Sequence, residues 1–158
     1  MKRVIGFIAV LVLLFLAVPA LADTVSVKEG ETQLNYRTEP SYKAKPAGYI
    51  EAGKDYEVVG EVLSWVKAVF EDPKRGKVEG WVGAKILVLT NDERRIGGQG
   101  CTLRKEPNSR KKGTADGFLQ KGSLLVKQTD KVVNFYRVKV DGKEVYVSGS
   151  YCVLKKGK

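Results

Sequence analysis

Two cysteines, Cys101 and Cys152, and a complete lack of histidine limit the chemistry of this 158-residue chain. Serine and cysteine nucleophiles usually depend on a histidine base, and zinc sites usually need histidines or more than two cysteines. The carboxylate pairs Glu71-Asp72 and Asp92-Glu93 lie in polar, turn-like sequence, where solvated charge is the ordinary interpretation. We therefore expect no catalysis, no metal and no cofactor.

Aromatic residues that alternate with cations are the chain's main binding signal, in "SWVKAVF" and "NFYRVKV". Successive side chains of a strand point to opposite faces. The inward sets are apolar: Val66, Ala68 and Phe70 in the first stretch, and Tyr136, Val138 and Val140 in the second. The outward sets contain Trp65 with Lys67, and Phe135 with Arg137. Aromatic and Arg side chains dominate binding hot spots, although an outward aromatic can also simply cover a thin core.

The first residues of the chain predict export. Lys2 and Arg3 precede the uncharged apolar residues 4–18, and Ala20-Leu21-Ala22 follows, a pattern typical of a secretory signal peptide cleaved after Ala22. An uncleaved membrane anchor is the alternative, because residues 4–22 carry no charge and could almost span a bilayer. Cleavage would leave no stable membrane span and would place the protein in a periplasm or outside the cell. In such an oxidising compartment we expect Cys101 and Cys152 to form a disulfide.

Charge is unevenly distributed along the chain. Residues 23–90 contain 10 Lys and Arg against 11 Asp and Glu, whereas residues 91–158 contain 16 against 7. The second half is therefore strongly basic, which favours anionic polymers, membrane surfaces or acidic proteins as partners.

The elements that must position these residues predict an all-β protein, with short alternating runs separated by turn residues. The runs occur twice. "LNYRTEPS" at 34–41 matches "CTLRKEPN" at 101–108, Trp65 matches Phe135, and Trp81 matches Tyr146. We predict two homologous modules, residues 23–90 and 101–158, joined by a polar, Gly-rich linker at 91–100.

These stretches resemble the bacterial Src-homology-3 domain, together with "GWVGAKIL" in the first module and "YVSGSYCVL" in the second. The resemblance covers nearly all of the chain after residue 22, twice. It implies two small, strongly bent, five-to-six-stranded barrels in tandem that bind peptides or cell-wall components without catalysis. It also implies that the first and last strands of module two meet, so that Cys101 and Cys152 take the positions of Leu34 and Leu87 in module one.

The candidate groove residues are aromatic and cationic: Trp65, Lys67, Tyr36, Tyr42, Tyr49, Phe135, Arg137, Phe118 and Tyr151. We expect Trp81 and Tyr146 mainly to pack on the fold, and Arg37 and Arg104 to hold the first loop of each module by hydrogen bonds to carbonyl groups.

The sequence thus favours an exported, monomeric, non-catalytic protein that recognises peptidoglycan or its stem peptides. Two alternatives remain open. The first is an envelope protein–protein adaptor, or regulator of a wall hydrolase, whose basic second module contacts anionic surfaces. The second is nonspecific binding of anionic lipid or nucleic acid, and nucleic acid is not expected after export.

Overall fold

The computed structural model describes residues 21–158, which form an all-β protein, as predicted. Its strands are β1 (Thr24–Val27), β2 (Gln33–Arg37), β3 (Gly48–Glu51), β4 (Tyr56–Asp72), β5 (Gly76–Gly83), β6 (Leu87–Thr90), β7 (Glu93–Ile96), β8 (Cys101–Arg104), β9 (Ala115–Leu119), β10 (Leu124–Val140), β11 (Lys143–Ser148) and β12 (Cys152–Lys155). The predicted signal peptide, residues 1–22, falls almost entirely outside the described residues. Across residues 21–158, no helix has the length and apolar character needed to span a membrane.

The order of elements occurs twice. We call β1–β6 the first repeat and β7–β12 the second repeat. Each repeat contains one strand of 17 residues, and each has a single 3₁₀ turn before its last strand, Ala84–Ile86 in one case and Gly149–Tyr151 in the other. Turn chemistry separates the elements, as at Asp141-Gly142, where both residues have positive φ and join β10 to β11 in a tight hairpin.

The predicted linker at residues 91–100 contains a strand. β7 pairs antiparallel with β6, and Ile96, opposite Leu87, is 1% exposed. The linker prediction is therefore wrong for Glu93–Ile96. The segment looked polar because Ile96 is its one large apolar residue, and the glycines that follow it make a sharp turn, with Gly98 and Gly100 at positive φ.

The two 17-residue strands, β4 and β10, pair with each other along most of their length. The pairing has approximate two-fold symmetry about Leu63 and Val133, which face each other. Trp65 lies opposite Val132 on one side of this point, and its counterpart Phe135 lies opposite Val62 on the other. The register skips Ser64 and Asn134 next to the symmetry point. Since "VGEVLSWVK" contains no Pro, Asn or tight-turn pair at Leu63-Ser64, nothing in it favours a reversal of the chain there.

Each of the two cores combines both repeats, an arrangement that we call strand exchange. The first core cluster contains Val25, Val27, Ile50, Tyr136, Val138, Val145, Val147 and Cys152. The second core cluster contains Val66, Ala68, Phe70, Val82, Ile96, Leu103 and Leu119. The early strands of one repeat thus pack with the late strands of the other. The stretches predicted as separate modules, 23–90 and 101–158, each contribute to both cores.

Strand exchange separates the two cysteines. Cys152 is buried in the first core cluster, whereas Cys101 packs against the second, and both are free thiols. The predicted disulfide is therefore absent from this arrangement, because β12 pairs with β1 of the first repeat instead of meeting strands of its own repeat. Burial raises the pKa of each thiol to about 11, against a weaker opposing effect of Lys28 at Cys152.

Candidate ligand-binding groove

A groove of about 460 Å³ opens beside β2 and β11, next to the first core cluster. Its lining comes from both repeats: Glu31, Gln33, Leu34, Asn35, Arg37 and Tyr42 from the first, and Phe135, Tyr146, Ser148 and Tyr151 from the second. The groove is composite because strand exchange places β11 directly against β2, with Tyr146 opposite Arg37.

Tyr42 and Phe135 form the aromatic centre of the groove. Their ring centroids are 4.7 Å apart with the planes tilted by 43°, and the Tyr42 Oη atom lies 2.8 Å from the Ser148 Oγ atom. Phe135 belongs to neither core cluster, yet it is only 1% exposed. Phe135 thus points away from the core clusters, as predicted, but it is not exposed, because the loop after β2 lays Tyr42 over its ring.

The rim of the groove is aromatic and polar. Tyr42 and Tyr151 are 56% and 48% exposed, and Tyr146, opposite Arg37 of β2, is half-buried. Arg37 donates from Nη1 to the Ala44 carbonyl, which is the structural role predicted for it, and it also lines the groove. Its remaining guanidinium donors leave a cation available to a ligand.

Six of the nine predicted site residues do not line this groove: Trp65, Lys67, Tyr36, Tyr49, Arg137 and Phe118. Tyr36 packs against the first core cluster. Lys67 forms an ion pair with Glu79 at 3.6 Å, and Arg137 pairs with Glu144 at 3.3 Å and donates to the Val59 carbonyl. Tyr49 and Phe118 are exposed, but they lie on β3 and β9 at opposite ends of the strand order.

The second core cluster has an equivalent position with a weaker aromatic lining. Trp81 lies opposite Arg104 there, as Tyr146 lies opposite Arg37, and Trp65 lies opposite Gly83, as Phe135 lies opposite Ser148. Trp81 is buried, as expected for a packing residue. Tyr42 is replaced by Ser109 and Tyr151 by Ile86. The sites at the two core clusters are therefore unequal, and both exposed tyrosines, Tyr42 and Tyr151, belong to the groove at the first cluster.

Several groove residues were missed by the sequence analysis. Gln33 and Asn35 alternate with Leu34 and Tyr36 in β2, so the period of two could have placed them on one face with Arg37. Tyr146 and Ser148 carry no local signal of this kind. They reach the groove through strand exchange, which depends on contacts between distant parts of the chain.

The excess positive charge lies with the second core cluster. Residues 63–132, which supply that cluster, contain 15 Lys and Arg against 8 Asp and Glu. Residues 23–62 and 133–158, which supply the first cluster and the groove, contain 11 against 10. The charge difference between the two halves of the sequence thus becomes, in the fold, a difference between a basic part at the second core cluster and a nearly neutral part at the first. The groove lies in the nearly neutral part.

Within the part of the chain that the structure describes, Asp72 is the acidic residue with a strongly perturbed environment near this basic part. It is 2% exposed, so the expectation of a solvated Glu71-Asp72 pair is wrong for Asp72. Its carboxylate accepts bonds from the backbone N–H groups of Lys74, Arg75 and Gln120 and from the Ser123 hydroxyl, at 2.7 to 3.0 Å. Burial alone would raise the pKa of Asp72, but these four bonds outweigh it and lower the pKa to about 2.

The Asp72 carboxylate thus joins the β4–β5 turn to the β9–β10 turn. All its near partners are hydrogen-bond donors of the protein itself, so its role is structural. Within residues 21–158, no three His, Cys, Asp or Glu side chains are grouped as metal ligands. Comparison of the chain with family models, with curated proteins and with solved structures finds no match.

Proposed function

We propose that this chain is an exported, non-catalytic binding protein that recognises peptidoglycan, through its stem peptides, in the groove between β2 and β11. The observation that carries the proposal is the exposed Tyr42 packed against a buried Phe135 at the centre of a composite groove. The groove volume lies within the range of about 300–1,000 Å³ common for ligand sites.

The chemistry of the lining suits a short peptide with a free carboxylate. Tyr42, Tyr146 and Tyr151 offer flat apolar surface, and Arg37 offers a cation that can bind a carboxylate. The side-chain amides of Gln33 and Asn35 can both donate hydrogen bonds to peptide groups and accept hydrogen bonds from them. Aromatic side chains with a few convergent polar groups are the usual composition of peptide-binding grooves.

The proposal includes the fold of the binding unit. Each core cluster is built from the early strands of one repeat and the late strands of the other, which supports two Src-homology-3-like barrels formed by exchanged halves. The repeated order of strands and the single 3₁₀ turn before each last strand support the same interpretation.

Co-sedimentation of the chain from Asp23 to Lys158 with purified peptidoglycan, at low and high salt, tests the function. We expect salt-resistant binding that is lost in Tyr42→Ala and Tyr151→Ala. Tyr49→Ala is the matched control, because Tyr49 is a similarly exposed tyrosine, 53%, outside the groove. Absence of sedimentation, or equal loss in the control, would contradict the proposal.

The charge of residues 63–132 favours a second candidate function, an envelope protein–protein adaptor or wall-hydrolase regulator. In that role the groove would hold a partner protein while the basic part contacts an anionic surface. Capture of one envelope protein in equal amount, dependent on Tyr42 and accompanied by no affinity for peptidoglycan, would favour this candidate. Its surface contact should weaken steeply as salt is added.

A further inference from the structure

The positions of Cys101 and Cys152 fit a second arrangement, in which the same strands pair with different partners from those in the structure. In the structure, Leu34 packs against the first core cluster, which contains Cys152, whereas Cys101 and Leu87 both pack against the second. At each cluster, therefore, one cysteine of the second repeat is found together with one leucine of the first repeat. If each repeat closed on itself, the two leucines would share one core and the two cysteines the other.

The symmetry of the β4–β10 pairing shows how such closure would occur. Trp65 lies opposite Val132, and the residue of the first repeat that corresponds to Val132 is Val62. In the same way, Phe135 lies opposite Val62, which corresponds to Val132 of the second repeat. Folding each long strand back on itself would therefore pair Val62 with Trp65 and Val132 with Phe135. The reversals would fall at Leu63-Ser64 and Val133-Asn134, where the present register is already interrupted.

We propose that the chain has a second, closed arrangement, in which each repeat packs on itself and a disulfide joins Cys101 to Cys152. Strand exchange is favoured with reduced thiols because the two-residue reversals are short and lack Gly, a condition that promotes exchange of elements. The disulfide favours closure, since it can form only where both cysteines share one core.

The oxidation requires a disulfide-bearing co-reactant, for which oxidised glutathione is the probe. One cysteine thiolate attacks its S–S bond, forms a mixed disulfide and releases one glutathione thiolate. The second cysteine thiolate then displaces the other glutathione. The protein loses two protons and two electrons, and the oxidant is reduced to two thiols. In the exchanged arrangement burial holds the pKa of both protein thiols near 11, so the reaction depends on opening of the fold or on refolding.

Closure would also change the groove, a consequence that rests on the proposed function. Tyr42 belongs to the first repeat, whereas Phe135, Tyr146 and Tyr151 belong to the second. In the closed arrangement Tyr42 would instead meet Trp65, and the bond between Tyr42 and Ser148 would be lost. Oxidation should therefore abolish binding in the groove, making ligand recognition sensitive to the redox state.

Ion pairs between the repeats report on the arrangement without any ligand. The Lys139 Nζ atom lies 3.1 Å from a Glu57 carboxylate oxygen, and Lys155 Nζ lies 2.5 Å from Asp55. Both pairs exist only with strand exchange. The pair of Lys67 with Glu79, by contrast, lies within the first repeat and would survive closure. A carbodiimide reagent converts such ion pairs into amide bonds that mass spectrometry can locate.

The experiment refolds the chain from Asp23 to Lys158, which holds all twelve strands, from urea into reduced or oxidised glutathione. From the reduced buffer we expect a monomer with free thiols and cross-links at both Lys139–Glu57 and Lys67–Glu79. From the oxidised buffer we expect a folded monomer with a Cys101–Cys152 bond, in which the Lys139–Glu57 cross-link is lost and the Lys67–Glu79 cross-link remains. The Cys101→Ser variant should keep both cross-links in either buffer.

Two results would overturn the proposal. One is a folded monomer from the oxidised buffer in which both cysteines still react with an alkylating reagent. The other is a mapped Cys101–Cys152 bond that leaves the Lys139–Glu57 cross-link intact. Because neither readout uses peptidoglycan, failure of the closed arrangement is distinguishable from failure of the proposed binding function.

Discussion

Tyr42 makes the contacts that join the two repeats at the groove, a tilted ring contact with Phe135 and a hydroxyl contact with Ser148. The Tyr42→Phe variant keeps the ring contact with Phe135 and loses the hydroxyl contact with Ser148. We expect it to bind peptidoglycan more weakly than the unaltered chain but better than Tyr42→Ala, and to lower the free energy of unfolding by about 1 kcal/mol. Urea unfolding and co-sedimentation measure the two effects. Equal binding by Tyr42→Phe and Tyr42→Ala would show that the ring surface contributes nothing.

The buried Asp72 carboxylate makes the stability of the fold depend on pH. The bonds to its carboxylate lower its pKa from 3.8 to about 2, so the ionised form is the one that the folded state favours. This contribution is fully present above pH 3.8 and is lost as the pH falls toward 2. We expect Asp72→Asn to lower the free energy of unfolding at pH 7 by about 1–3 kcal/mol, because the amide oxygen can replace only one of the two carboxylate oxygens. The NH2 group, itself a donor, would face the two donors that bind the other oxygen.

Urea unfolding at pH 6 and at pH 2 tests the role of Asp72. The difference between the unaltered chain and Asp72→Asn should narrow as the pH falls through 3.8 toward 2, because the carboxylate then becomes protonated and both side chains are uncharged. The neighbouring Glu71→Gln is the matched control, since Glu71 is exposed. A difference that stays constant with pH would show that Asp72 contributes packing alone.

At the residue level, the sequence predicts which face of a strand a side chain occupies better than it predicts which residues surround that side chain. The period of two correctly assigned Val66, Ala68 and Phe70 to a core, and all three are buried. The same period correctly put Phe135 on the opposite face, but the tyrosine that covers it lies about 90 positions earlier, and no local pattern reports such a contact. Asp72 illustrates the same limit, since two of its four donors come from residues 120 and 123.

Among the elements, β7 is the one whose presence changes the organisation of the chain. If Glu93–Ile96 were a linker, Ile96→Ala would be nearly neutral. Since Ile96 is 1% exposed in the second core cluster, we expect this substitution to lower the free energy of unfolding by about 2–5 kcal/mol. Val88→Ala on the facing strand β6 is the control, because Val88 is 45% exposed and should cost far less. Urea denaturation of the two variants gives the comparison.

The strands β4 and β10 explain why element type could be predicted and element length could not. Alternation of apolar residues identified the run "SWVKAVF", and all of its residues are in a strand. Whether the chain turns between such runs depends on what each half can pair with. Here Leu63 pairs with Val133, 70 positions later, so one long strand replaces two short ones.

For the whole molecule, strand exchange couples the two cores through β4 and β10, each of which contributes to both. Two independent modules would unfold separately. With exchange, loss of either core removes pairing partners from the other, so we expect one cooperative transition in differential scanning calorimetry, with equal calorimetric and van't Hoff enthalpies.

The equivalent residues Ile50 and Leu119, both 0% exposed, provide matched variants in the first and second core clusters. Ile50→Ala and Leu119→Ala should each cost about 2–5 kcal/mol and shift the same single transition to lower temperature. Two transitions, with each variant moving only one of them, would show that the clusters unfold independently and that the long strands do not bind the halves of the molecule together.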